Sequence, residues 1–402
     1  LNTNTLIIQL ARLGDLLQTS RLVKSLQQHS RVHLCIDKSL AALTELVYPG
    51  VEIHALHAHG SGKMSSAEIM RHNLQVKSKL SATNYELVVN LNYSGMNFAL
   101  SRLFSPEKVR GYINYDGQEA RHQWTKLFFR LCAHRRLSSI NLMDFWGLYA
   151  PNPLSPAKVN PLASDQGSGI GVVMAGRDSR RSVPLTTLAG LTRAVRDKCR
   201  GKKIYLLGSS AEMAHARKFQ QEISSTLHSD VVNLVGRTSL LDLAEVIKSL
   251  EIVLTPDTGT MHLAAHSGTK VLAFFLSSAC CFETGPYGTG HEVFQAMPSC
   301  APCVESRKCK FDLVCHDILG SRKTFQAILG KEVKGDHQGI LYESRVDDLG
   351  VNYTPVCGID QYAEKRAQLR ELIRRQVGLK ACSVDIAEET ARIFFHENQW
   401  ML

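Results

Sequence analysis

One stretch, Ile252 to Leu276, limits the possible folds more than any other. Ile252-Val-Leu254 is apolar without alternation, the mark of a strand covered on both faces. Thr255-Pro-Asp-Thr-Gly259 is turn chemistry, in which Pro256 fixes one backbone angle and Gly259 permits close approach to a ligand. Met261 to His266 reads as a short helix closed by Ser267-Gly268, and Val271 to Leu276 as a second buried strand. Strand, helix, strand in this order is a βαβ unit, whose ligands bind outside the carboxyl ends of the strands. Asp257, Thr258, Gly259, Thr260 and His262 are therefore expected at the mouth of a sheet. Free amides at the helix start favour phosphate. Asp257 repels phosphate and suits a sugar or ribose hydroxyl, or the cap of the helix. An ordinary capped turn explains the local pattern equally well, and both readings stay open.

The same alternation opens the chain. Thr5 to Leu10 is a buried strand, Ala11-Arg-Leu-Gly-Asp15 a turn, Leu16 to Gln28 a helix by periodicity, and Val32 to Ile36 a strand. That predicts a doubly wound domain. The turn carries neither a dinucleotide fingerprint nor a P-loop, and its one carboxylate is Asp15. Asp15 reads either as a site residue at the carboxyl-end crevice or as a helix cap. Further strands are predicted at Val51 to Ala55 and Leu87 to Leu91, the latter running into Asn90-Leu-Asn92. After a Pro-rich linker, a second half begins at Gly169. Its strands run into turns at Gly176-Arg-Asp-Ser-Arg-Arg181, Gly208-Ser209, Gly236-Arg237 and Asp257-Thr258. Arg177, Arg180, Arg181, Ser209, Gly236 and Thr258 would share one rim, and Arg suits diphosphate because its fork donates in pairs. The resulting boundaries are 1–150, a linker at 151–168, 169–320, and a partly helical extension at 321–402.

The 402 residues carry a formal charge of +10, which favours anionic partners. No apolar run reaches bilayer length and no leader is read at Leu1, so a cytoplasmic location is expected. Eleven cysteines then argue for thiols or metal ligands over disulfides. Four of them, Cys300, Cys303, Cys309 and Cys315, fall close together. They read as a structural zinc or iron site, as packed thiols, or as a disulfide pair. Arg121 to Arg136 interleaves Arg121, Lys126, Arg130, Arg135 and Arg136 with Trp124, Phe128 and Phe129. This is either a face for docking on anionic lipid or a solvated helix face.

Taken together, Arg12-Leu-Gly-Asp15, Val235-Gly-Arg-Thr-Ser-Leu240, Thr255-Pro-Asp-Thr-Gly-Thr-Met-His-Leu-Ala-Ala265, Phe282-Glu-Thr-Gly-Pro-Tyr-Gly288 and Cys300-Ala-Pro-Cys303 resemble glycosyltransferase family 9, the ADP-heptose:lipopolysaccharide heptosyltransferases. The likeness spans about residues 5 to 320. It implies a GT-B architecture, two Rossmann-like doubly wound domains facing across a cleft, with acceptor on the first and nucleotide-sugar on the second. It implies inverting transfer of a heptose or related sugar from an ADP-sugar to the lipopolysaccharide core. The protein would then work as a peripheral enzyme at the inner face of the inner membrane, with no catalytic cofactor and no nucleic-acid partner. Asp15 matches the family's general base, and Asp257, Thr258, Gly259 and His262 its donor-binding element. Arg12 and Asn92, with Arg121, Lys126 and Arg130, fall on the acceptor and membrane side. This chain departs from the pattern at Arg181-Ser-Val183, where the family has Lys and Trp, and at Pro256, where Asn is common. The alternatives are a sister transferase with another nucleotide-sugar or a protein acceptor, a catalytically silent nucleotide-sugar-binding GT-B protein, and a nucleotide-sugar epimerase.

Overall fold

A computed structural model describes residues 3–59, 64–176, 178–335, 337–382 and 384–396. The chain divides into two compact α/β units. The first comprises residues 1–134, 143–154 and 386–402, the second residues 135–142 and 155–385.

The first unit is built on six strands: β1 (Asn4–Gln9), β2 (Arg31–Asp37), β3 (Glu52–Leu56), β4 (Leu87–Asn90), β5 (Val109–Tyr115) and β6 (Gln118–Arg121). Their order is β3-β2-β1-β4-β5-β6, all parallel except the last pair. β1 is buried from Thr5 to Gln9, as its unbroken apolar run requires of a central parallel strand. The chain runs outward from β1 through β2 to β3 and then returns to place β4 on the other side of β1. The carboxyl ends of β1 and β4 therefore flank a topological switch point. One face packs Leu6, Ile8, Cys35, Leu56, Val76, Leu80, Tyr85 and Val88 into a single core.

The second unit has eight strands: β7 (Ile170–Val173), β8 (Ile204–Leu207), β9 (Val231–Asn233), β10 (Ile252–Pro256), β11 (Lys270–Phe275), β12 (Glu292–Ala296), β13 (Gly339–Val346) and β14 (Val351–Cys357). Their order is β14-β13-β12-β11-β10-β7-β8-β9. Strands β7 to β12 are parallel, and β13 and β14 add antiparallel at one edge. Here the switch point lies between β7 and β10. Every residue of β10 is buried, Pro256 included.

The expected strands form within a residue or two of their predicted bounds, and the tail differs most. Residues 321–402 do not stand apart as an extension, because β13 and β14 continue the second sheet. The helix Ala363–Gln376 belongs to the second unit and the helix Glu388–Phe395 to the first. Arg366, Arg370 and Arg374 on the longer helix are buried and paired to Asp360, Asp347 and Asp348.

Candidate active site

At the second unit's switch point the loop after β7 is folded by its own side chains. Asp178 Oδ1 accepts from the amides of Arg180 at 2.9 Å and Arg181 at 3.1 Å. Ser182 Oγ donates to Asp178 O at 2.8 Å and accepts from Gly176 N at 2.9 Å. A side chain at Gly176 would strike the Arg181 carbonyl, so the turn requires glycine there. Val183 is buried in the core.

This folding sends the two arginines in different directions. Arg180 donates to the carbonyls of Arg307 and Glu305, each at 2.6 Å, and its own carbonyl meets His316 Nε2 at 2.9 Å. Arg181 reaches the start of the neighbouring turn, where Nη2 donates to Asp257 Oδ2 at 2.5 Å. Its Nε is buried without a hydrogen-bond partner among the described residues. Arg177 lies outside the described residues.

Asp257 follows β10 directly and is 8% exposed. Its Oδ2 also accepts from Thr284 Oγ1 at 3.0 Å, and His262 Nε2 lies 3.9 Å from Oδ1. Burial pushes the Asp257 carboxyl up, while the Arg181 guanidinium and the Thr284 hydroxyl oppose that shift. The helix Gly259–His266 is capped by Thr258, whose Oγ1 accepts from Met261 N at 3.4 Å. Asp257 is thus not the cap, and the amides of Gly259 and Thr260 head the helix without an intrahelical acceptor. The arrangement offers an anion two helix-start amides and a partly unpaired guanidinium, and offers a hydroxyl-bearing ligand a carboxylate.

Two predicted rim residues serve the backbone. Ser209 Oγ donates to Glu212 Oε2 at 2.7 Å and accepts from Ala211 N at 3.3 Å, closing a capping box. Gly236 sits at φ +70°, where a Cβ would meet Ser210 Cα at 3.0 Å. Thr284 was not anticipated. Its segment belonged to the family likeness, but only the fold brings it onto Asp257. Behind it, Glu283 holds Arg135 Nε at 3.0 Å and Ser138 Oγ at 2.7 Å, and Arg135 also donates to the carbonyls of Ser278 and Cys303.

In the first unit, Asp15 is the third residue of the helix Leu13–Leu17 and is partly exposed. Its Oδ2 accepts from Arg12 N at 3.2 Å, so it does cap the turn, and no cation among the described residues pairs with it. Arg12 is exposed. Asn92 is turned inward, and its Oδ1 accepts from Leu10 N at 2.7 Å and Asn97 Nδ2 at 3.4 Å. That bond joins the ends of β1 and β4 across the switch point and places Asn92 in the frame behind Asp15.

The basic, aromatic segment is engaged within each unit. Trp124 stacks on Phe145 at 5.0 Å and donates Nε1–H to its carbonyl, and Phe128 packs on the same ring at 4.4 Å. Arg121 lies over Phe129 at 4.4 Å, and Arg130 donates to Phe394 O. Lys126 is partly buried on the same helix. Arg135 and Arg136 fall in the second unit, where Arg136 donates to Ala301 O and Tyr362 Oη. Of the five bases, Arg121, Lys126 and Arg130 belong to the first unit and Arg135 and Arg136 to the second, and the aromatics among them are packed but partly exposed.

The four clustered cysteines are free thiols, and no three of them come within 4.8 Å of one another. Cys309 sits on an exposed turn and Cys315 is buried. Burial raises the thiols of Cys300 and Cys315, and the amides of Phe311 and Leu313 lower that of Cys309. The metal reading of this cluster is not supported by its geometry.

A family model described as glycosyltransferase family 9 (heptosyltransferase) matches residues 186–314. The lipopolysaccharide core heptosyltransferase OpsX of Haemophilus influenzae is 33% identical over 55 residues, 14% of this chain and 16% of that relative's length. Among solved structures, a family 9 glycosyl transferase from Veillonella parvula matches 81% of this chain and 97% of its own, at TM-score 0.61 and 14% identity. The E. coli ADP-heptose lipopolysaccharide heptosyltransferase II matches 79% of this chain and 98% of its own, at TM-score 0.54 and 14% identity. E. coli heptosyltransferase WaaC, solved with ADP, matches 71% and 91%, at TM-score 0.54 and 17% identity. These structures share the two-unit α/β fold. The segment that carries the turn after β10 is thus similar to glycosyltransferase family 9, and the two-unit fold is the one found in solved members of that family.

Proposed function

We propose that this chain is an inverting, heptosyltransferase-like glycosyltransferase that moves a heptose or related sugar from an ADP-activated donor to a lipopolysaccharide core acceptor. The observation that carries the reading is the buried Arg181–Asp257 pair beside the start of the helix Gly259–His266, with Arg181 Nε left unpartnered. In this reading the diphosphate meets Arg181 and the amides of Gly259 and Thr260, while Asp257 and His262 receive hydroxyls of the donor. The acceptor hydroxyl attacks the anomeric carbon as the bond to the diphosphate breaks. Asp15 takes the hydroxyl proton, and the charge that develops on ADP is met by fixed donors. Arg180 leaves the set of diphosphate ligands, since both sides of its fork hold the cysteine loop. The lipid-linked acceptor places the protein as a peripheral visitor at the cytoplasmic face of the inner membrane. No helix among the described residues is long and apolar enough to cross a membrane.

The test is incubation with ADP-heptose and a lipid A-linked core acceptor, with products read by mass spectrometry. Heptose on the core, with ADP released only when acceptor is present, is the expected result. Sugar on a protein acceptor would move the substrate class. Donor turnover without acceptor would replace the transferase reading with that of an epimerase or hydrolase.

A further inference from the structure

A second chemical constellation lies in the first unit, at the other end of the strands from Asp15. β2 and β3 pair in parallel with His33 opposite Glu52 and Cys35 opposite His54. Residues two apart on a strand share a face, so His33, Glu52 and His54 project from one side of the sheet. Among the described residues these are the only three or more His, Cys, Asp or Glu side chains whose ligand atoms all lie within 4.8 Å of one another.

The geometry is that of a coordination triangle. His33 Nδ1 and His54 Nε2 are 2.9 Å apart, and Glu52 Oε1 is 3.7 Å from the first and 3.9 Å from the second. A triangle with these edges has a centre about 2.1 Å from all three atoms, the length of a zinc–imidazole or zinc–carboxylate bond. Both imidazoles are buried, while the Glu52 side chain is 43% exposed, so the open side of the triangle faces solvent. The other Glu52 oxygen is held by Arg31 at 3.3 Å, which leaves Oε1 turned toward the rings. Tyr85 Oη stands 3.4 Å from His33 Nδ1 and closes the inner side.

We propose that His33, Glu52 and His54 bind one divalent cation of the zinc class, with water in the remaining position. Neutral imidazole and carboxylate are the donors such an ion takes, and three protein ligands with one open position is a known zinc arrangement. Both rings are buried and turn their nitrogens toward one another, which leaves those atoms facing the proposed cation position. Cys35, on the same face, stays out of the set because its sulfur does not come within 4.8 Å of all three ligand atoms. In the empty site one ring must donate to the other across 2.9 Å; on metal binding that proton moves to the opposite nitrogen of the same ring, so that both facing nitrogens present lone pairs and both rings stay neutral. The site ties the edge strand β3 to β2 and, lying at the amino ends of the strands, stands apart from the sugar-transfer chemistry.

Cobalt(II) titration of the full chain under anaerobic conditions tests this, because cobalt reports its donors. One equivalent should bind with visible ligand-field bands, without near-ultraviolet thiolate charge transfer, and should be displaced by zinc. His54→Gln and Glu52→Gln should each weaken that binding by about tenfold or more. Glu52→Gln changes an exposed side chain without altering its shape, so it remains informative if His54→Gln does not fold. The proposal is overturned if all cobalt binding carries thiolate bands, or if Glu52→Gln binds cobalt as wild type does.

Discussion

Adjacent residues in one loop have separate consequences. Arg180→Ala removes the donors that hold Glu305 and Arg307, so the exposed Cys309 should react faster with a thiol reagent while ADP affinity stays within about threefold. Arg181→Ala removes a charged partner of Asp257 and the proposed diphosphate contact. Calorimetry should show ADP binding weakened by about tenfold or more. An equal loss in both variants would mean that the loop acts as a unit. Asp15→Asn keeps the shape that caps Arg12 N, so fold and ADP affinity should persist while kcat falls about 10²-fold or more. Near wild-type turnover would remove Asp15 as the base. The sequence alone left Asp15 open between cap and base, and the structure shows why both readings were reasonable: one oxygen caps the turn on a side chain that remains partly exposed.

At the scale of elements, legibility followed burial. The central strands announced themselves because parallel strands covered on both faces are apolar runs, as in Leu6-Ile-Ile8 and Ile252-Val-Leu254. β5 and β6 went unread because β6 is polar and mostly exposed, yet its turn, Asp116-Gly117 with φ +46° and +80°, carries the usual hairpin dipeptide. Thr284 and the His33–Glu52–His54 group were invisible for another reason, since each depends on a long-range register that periodicity does not encode. The basic helix is a different case. Its composition fits a lipid-facing surface, and the structure adds cation–π and stacking contacts within the first unit that composition does not encode. Arg135 illustrates the cost of treating such a residue as surface. Arg135→Glu would place a carboxylate against Glu283 and leave the carbonyls of Ser278 and Cys303 without a donor. We expect a loss of about 3 kcal/mol or more in denaturant unfolding of the second unit.

For the whole molecule, acid stability should be set by histidines that fold uncharged. His54 is held at about 4 and His291 at about 3, both by burial, against 6.5 for the ordinary group. His291 is fully buried, with both ring nitrogens unpartnered among the described residues. A base whose folded value is depressed binds more protons when unfolded. Its contribution is therefore complete above about pH 6.5 and is lost as the pH falls toward 4, at about 1.4 kcal/mol per pH unit for each group. Urea unfolding in chelator at about pH 7.5, 6 and 5 should show this steepening, and His291→Leu should flatten it. An unchanged slope in that variant would mean that His291 is not the group lost in acid.

The division of the chain into units also sets an order of events. The helix Glu388–Phe395 is assigned to the first unit, and its Phe394 carbonyl receives Arg130 from 264 residues earlier. During synthesis at roughly 5–20 residues per second, the partner helix waits tens of seconds for it. Throughout that interval the second unit emerges and can fold first, although it precedes the closing helix and follows most of the first unit in the chain. The nascent protein is therefore finished out of order, and a ribosome stalled near residue 385 would carry a first unit that still lacks the helix holding Phe394 and the acceptor for Arg130.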